Sequence, residues 1–283
     1  MHSPSASVAK HVVAALGLVV IVSVAPAQII TDLLAEPSQW QPWMITPGAD
    51  LHVTTGGTAP YLAGTADESF AAIYNGTTTL PYDSDWSLSA FAQINNPYMA
   101  PYVSNYRLAP GAWVGLEFVI SPFAASMEDH RVGYGFEYGY WNESGPRLEL
   151  SSYAFADGEE VPTGSNGIGT ETPFAAMRMD FSSQDKTITF FRLTFDGGMS
   201  GWLRDGPALS LTSSGADFGM GAQDRFAVAL VGNSSGVWAD ASFSNVRLIT
   251  AAPPAAPVPE PSTYGLAGLA VLALAIARRR LRR

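Results

Sequence analysis

The chain has 283 residues, a formal net charge of −10 and no cysteine. The lack of cysteine excludes a disulfide framework and a thiolate metal site, and the acidic balance argues against nucleic acid or an anionic membrane as partner. Charged residues make up only 14%, against 27 glycines and 20 prolines, a composition suited to short strands joined by frequent turns.

Residues 1–27 have the parts of a secretory signal peptide. Lys10 and the amino terminus give a positive flank, and Val12–Val24 is an apolar run too short to span a bilayer comfortably. Ala25 and Ala27 form an A-x-A site, so cleavage is expected before Gln28. This directs the chain to Sec-type export machinery.

Residues 28–250 are expected to form one all-β domain. Ile29–Thr79 reads as loop-rich, with strands at Leu51–Thr55 and Phe70–Tyr74. Clear alternation begins at Asp85–Ile94, where Trp86, Leu88, Ala90, Ala92 and Ile94 share a face. Trp113–Ile120 sets Val114, Leu116, Phe118 and Ile120 against Trp113, Glu117 and Val119. Arg131–Trp141 is rich in aromatics, and its Gly133, Gly135 and Gly139 suggest a bend or bulge. Arg147–Tyr153 is a further strand. Ala175–Phe181 and Thr187–Phe195 make a hairpin turning at Ser182–Lys186, closed by a turn at Asp196-Gly197-Gly198. Arg225–Val231 and Ala241–Thr250 follow, the last broken near Asn245. No stretch of this region has helical periodicity. Eight or more such strands predict two packed antiparallel sheets.

Residues 251–257 are a Pro/Ala-rich linker. Beyond them come Val258, Pro259, Glu260 and Pro261, an uncharged helix-compatible run over 265–277, and a basic tail over 278–283 containing Arg278, Arg279, Arg280, Arg282 and Arg283. At a rise of about 1.5 Å per residue that run spans roughly 20 Å, short of a hydrocarbon core of about 30 Å. The arginines hold their end on the cytoplasmic side.

This box, helix and arginine cluster resemble the PEP-CTERM sorting segment of exported bacterial proteins. The resemblance implies a Gram-negative host, transient anchoring in the inner membrane, recognition by an exosortase, cleavage near the Pro-Glu-Pro box, and delivery to the cell surface or medium. Loss of both end segments would remove six of the 15 basic residues, leaving nine against 25 acids, near −16.

The order DWSLSAF, WVGLEFVI, AAMRMDF with TITFFRLTFDG, DRFAVALVG and FSNVRL resembles the concanavalin-A-like lectin/glucanase jelly roll, implying a two-sheet antiparallel β-sandwich. Glucanase relatives carry catalytic acids as Glu-x-Asp-x-x-Glu on one strand, and this chain has no such string. Glu137 and Glu143 on a single strand would stand about 20 Å apart, so acids could meet only across strands, for instance Glu117 with Glu137. Otherwise these are solvated outer-face glutamates.

No Gly-x-Ser-x-Gly elbow occurs, and His52 and His130 lack metal-ligand spacing. Calcium is the ion best matched to the loop carboxylates, with Asp83 and Asp85 the first candidates and Glu128, Asp129 and Asp196 behind them; the same residues are ordinary turn formers. Sugar rings stack on aromatics while amides and carboxylates take hydroxyls, which singles out Tyr138, Tyr140, Trp141 and Asn142. Tyr134, Phe136, Tyr138 and Tyr140 equally suit one half of a core. Tyr98, Tyr102 and Tyr106 form a loop-borne second group.

These features predict an exported, non-catalytic β-sandwich at the cell surface or in the matrix, binding extracellular polysaccharide. A glycoside hydrolase or polysaccharide lyase on the same fold is the alternative, and a purely structural biofilm or adhesion component the third.

Overall fold

The computed structural model describes residues 28–59, 69–94, 113–122, 129–139, 147–161, 163, 168–170, 174–196, 199–212, 218–235 and 241–251. Residues 28–251 cluster as one compact unit. The signal peptide, the linker beyond Ala251, which itself ends a strand, and the sorting segment with its expected helix lie outside the described residues, as do Tyr98, Tyr102, Tyr106, Glu128, Tyr140, Trp141, Asn142 and Glu143.

Sixteen strands are described: β1 (Gln28–Asp32), β2 (Trp40–Ile45), β3 (Val53–Thr54), β4 (Gly57–Thr58), β5 (Ser69–Pro81), β6 (Trp86–Ile94), β7 (Trp113–Pro122), β8 (Arg131–Gly139), β9 (Arg147–Ala156), β10 (Glu159–Val161), β11 (Ile168–Thr170), β12 (Phe174–Ser182), β13 (Thr187–Asp196), β14 (Met199–Ser210), β15 (Arg225–Ser235) and β16 (Ala241–Ala251). Sheet A runs β14-β13-β12-β6-β16-β4-β3, with β1 also on β16; sheet B runs β10-β9-β8-β7-β15-β5-β2, with β11 also on β9. Every pairing is antiparallel. The all-β, two-sheet sandwich expected from the alternation is the fold that forms.

The alternating residues build its core. Trp86, Leu88, Ala90, Ala92 and Ile94 of sheet A are buried, as are Val114, Leu116, Phe118 and Ile120 of sheet B. Rings meet across the sheets: Phe226 of β15 lies 5.9 Å from Phe181 and 6.0 Å from Trp86, and Tyr134 of β8 lies 5.4 Å from Phe190. Each such ring contributes on the order of 2 kcal/mol by leaving water. A charged group is set at the edge of this core. The Tyr134 hydroxyl donates to Asp205 of β14, which is 1% exposed and paired with Arg192 Nε at 3.3 Å. That partner explains why Arg192 shares the inward face of β13 with Ile188 and Phe190.

The sequence missed the strands that bury little. β1 is exposed along its whole length and so has no alternation to read. β2 and β14 are edge strands holding Pro42 and Pro207, where a missing N–H does not break a central ladder. The first stretch is therefore less loop-rich than expected. The expected break near Asn245 is a register shift between Ser244 and Arg247, with Asn245 at φ 50°.

Gly133 and Gly135 do not bend β8, whose register with β7 and β9 runs without a shift. Their role is on the outer face. There Ala72, Val119, Ala229 and Val231 form a second buried cluster, against which Trp43, Phe70, Tyr74 and Tyr153 pack. β7 and β15 are consequently buried on both faces.

Candidate functional site on the outer face of sheet B

Strand parity turns Tyr134, Phe136 and Tyr138 inward and Arg131, Gly133, Gly135 and Glu137 outward. Glycine outward leaves the strand bare, so side chains from β7 and β9 cross it. A Cβ on Gly133 would overlap the Tyr153 ring, and one on Gly135 would lie 2.9 Å from Glu117 Cγ. Tyr153 of β9 thereby reaches Glu117 of β7 and donates its hydroxyl to Oε2. Gly115 does the same service beside them. A Cβ there would stand 2.6 Å from Asn233 Oδ1 and 2.9 Å from Glu137 Cγ. Asn233 Nδ2 of β15 donates to Glu117 Oε1 at 2.6 Å.

The result is an acidic cluster on three adjacent strands. Glu137 lies directly opposite Glu149 in the β8–β9 register, and Glu117 lies diagonal to Glu137, opposite Gly135. Directly opposed Cβ atoms are about 5 Å apart and diagonal neighbours about 7–8 Å. Glu117 is 6% exposed, which corrects the expectation of a solvated outer-face residue. Burial pushes its carboxyl up, opposed by the hydrogen bonds from Tyr153 and Asn233 and by Arg131. Burial, then the charges of Glu117 and Glu149, push Glu137 up to about 8. Tyr153 is pushed up by burial and by Glu117. Arg131 lies over the rings of Phe155 and Tyr153, its guanidinium 4.0 and 5.6 Å from their centres. No described residue donates a hydrogen bond to Glu137, and the buried Asn233 Oδ1 has no partner.

The residues singled out in the sequence are scattered relative to this cluster. Tyr138, the one described member of the Tyr138–Asn142 group, is 8% exposed and packs in the inter-sheet core. Asp85 accepts the Ser183 amide and hydroxyl, both at 2.7 Å, which tie the β5–β6 turn to the β12–β13 turn; these bonds hold its carboxyl below the ordinary range. Asp83 accepts from Ser84. No group of three or more His, Asp or Glu with metal-binding geometry occurs among the described residues. His52 pairs with Asp50 and His130 with Asp157. The sequence named the Glu117–Glu137 meeting but missed the acid Glu149 and the donors Tyr153 and Asn233. The available signal was the outward Arg-x-Gly-x-Gly-x-Glu parity of β8, which bares the strand beside two other glutamate-bearing strands.

Residues 257–283 match the PEP-CTERM protein-sorting motif, so the chain carries the sorting segment that its last residues resemble. The motif marks an exported protein sorted through the membrane and implies processing by an exosortase. No curated protein sequence matches the chain. Among solved structures, the chain is similar to winged bean acidic lectin complexed with methyl-α-D-galactose: 10% identity, TM-score 0.48, covering 80% of this chain and 99% of the lectin. Lectin II from Ulex europaeus is 10% identical at TM-score 0.45, over 79% and 97% of the two chains. The Crh5 transglycosylase in complex with NAG is 13% identical at TM-score 0.42, over 81% and 85%.

Proposed function

We propose that the protein is a surface or matrix saccharide-binding β-sandwich, and that the outer face of sheet B is its binding face. The carrying observation is that glycines let Tyr153, Asn233, Glu117 and Glu137 gather on an outer face that also holds Trp43 and Tyr74. Rings offer stacking surface to the apolar faces of sugars, and carboxylate and amide oxygens accept from hydroxyls. Sec-type export with cleavage after Ala27, a domain over 28–250 on a 251–257 linker, and exosortase cleavage near Val258–Pro261 complete the proposal. Arg278, Arg279 and Arg280 would hold the tail for that cleavage. The test is a glycan array probed with protein matured in its host, with and without calcium. The reading requires at least one glycan class to bind, and Glu137→Ala to weaken it while the fold persists. Silence across the array would end it. A calcium requirement through Asp83 and Asp85 would show as loss of binding on chelation, and would demand that Asp85 release Ser183.

A hydrolase or lyase on the same face is the second reading. It is favoured by Glu137, which stays protonated up to about 8 beside two other carboxyls. Cross-strand neighbours on one face set their carboxyls within reach of one another, as the paired acids of a glycosidase require, and such a protonated carboxyl suits a general acid. Release of reducing ends from host polysaccharide, abolished by Glu137→Gln, would establish it.

A further inference from the structure

The outer face of sheet A carries a row of arginines set at a regular interval. In register, Arg247 of β16 lies opposite Ser89 of β6, and Ser89 opposite Arg178 of β12. Arg178 lies opposite Phe191 of β13, and Phe191 opposite Arg204 of β14. Directly opposed residues share a face. Three arginines therefore stand in one line across five strands, one on every second strand. Two strand spacings put their backbones about 10 Å apart. Outside the two end segments the chain has only nine basic residues, and three of them are in this line.

An apolar row runs beside it. Two positions along each strand, about 7 Å away, Phe91 lies opposite Ala176 and Leu193 opposite Trp202. Phe174 stacks on Phe91 with ring centres 5.6 Å apart, and Trp202 is 38% exposed. Arg178 links the two rows. Its guanidinium lies 4.5 Å from the centre of the Phe191 ring and 4.7 Å from that of Trp202. Resting on rings holds this long side chain in place, so less freedom is lost when it takes a partner.

Two aspartates reach the row. Asp180 pairs with Arg178 Nη2 at 3.0 Å, and Asp32 of β1 stands opposite Arg247 in register. Arg204 donates Nε to the Gly206 carbonyl at 3.0 Å, and Arg247 donates Nη2 to Asn245 Oδ1 at 3.4 Å. Among the described residues no carboxylate forms an ion pair with Arg204 or Arg247, and both side chains are exposed. A guanidinium has five N–H donors, so one contact each leaves both able to hold a ligand. Charges beyond about 8 Å are largely screened at physiological ionic strength. A ligand on this face therefore meets the arginines rather than the acids of the rest of the domain.

We propose that this face binds an extended, uronate-bearing polysaccharide lying across the strands. Its carboxylates meet Arg247, Arg178 and Arg204, and the apolar faces of its rings rest on Trp202 and Phe91. The guanidinium fork matches a carboxylate in the plane, and sugar C–H faces stack on aromatic rings. In an extended chain whose successive rings alternate in orientation, carboxylates along one edge recur once per disaccharide, close to the arginine interval. A neutral chain uses the apolar row alone. A phosphodiester strand carries its charges at a closer interval that the row does not match. This face is on the other side of the sandwich from the Glu117–Glu137 cluster, and ligand binding there is a separate matter.

The experiment is calorimetric titration of the host-matured protein with oligomannuronate, its methyl ester and an oligothymidylate of equal charge. The uronate should bind about tenfold more tightly than its uncharged ester, and more tightly than the oligothymidylate. Its advantage should shrink with added salt. Arg204→Gln combined with Arg247→Gln should lower uronate binding to the level of the ester. Binding of the ester should survive that change, which shows that the fold and face persist. Trp202→Ala should weaken both sugars alike. Equal binding of ester and uronate overturns the inference, and so does an oligothymidylate that binds as tightly as the uronate. A uronate preference that survives the double arginine variant places the ligand elsewhere, sheet B included, and overturns it as well. Failure of the uronate to bind removes this site and leaves the sheet B reading to its own glycan test.

Discussion

The Tyr153 hydroxyl on β9 donates to Glu117 on β7, passing over Gly133 of the strand between them. Two strand spacings, about 10 Å, are bridged because β8 carries no side chain at that point. Sequence neighbours thus matter less here than an absent Cβ.

Gly133→Ala tests this directly. The added methyl overlaps the Tyr153 ring and forces it off the sheet. We expect a loss of about 1–3 kcal/mol in denaturant unfolding, with Glu117 left without its tyrosine donor. Wild-type stability would mean that the ring does not rest on Gly133.

Glu137 makes stability fall as pH rises. Its carboxyl has an ordinary value of 4.5 when unfolded and about 8 when folded, so between these limits the folded state holds the extra proton. Its contribution is fully present below about pH 4.5 and lost as pH climbs through about 8, on the order of a few kcal/mol at most. The unfolding midpoint should therefore decline from pH 6 to 9, and Glu137→Gln should flatten that decline. A midpoint rising over this range in the parent would refute the assignment.

Asp205 serves two partners that cannot do without it. Asp205→Ala strands the Arg192 guanidinium and the Tyr134 hydroxyl in the core, at a cost of about 3–5 kcal/mol. Tyr134→Phe, which removes only a donor, should cost about 1–3 kcal/mol. Thermal or denaturant unfolding of the two variants should rank in that order.

Asp85 joins two turns 98 residues apart in sequence. Asp85→Ala should release the Ser183 amide and speed its hydrogen exchange about tenfold, equivalent to about 1.4 kcal/mol of local stability. Unchanged exchange would show that the turns hold without it.

Some of this was legible beforehand. Period-two alternation in β6, β7, β12 and β13 marked the inward residues because one face of each strand must leave water. The run Gly133 to Tyr138 already had its aromatics at even and its glycines at odd positions, so Tyr138 in the core follows from parity. β1 and β14 were illegible for the same reason, since strands that bury little carry no hydrophobic signature.

The amino acids in order therefore determined the fold class, the sorting motif and which residues of each strand face inward, because these depend on local periodicity and on contiguous segments. Only the tertiary structure decided that Glu117, Glu137 and Glu149 share one face with Tyr153 and Asn233. Strand order and register bring together residues up to 116 positions apart, and neither is written in the spacing of any one strand. The burial that raises the Glu137 carboxyl arises from those neighbours, so its chemistry exists only once the sheet has formed.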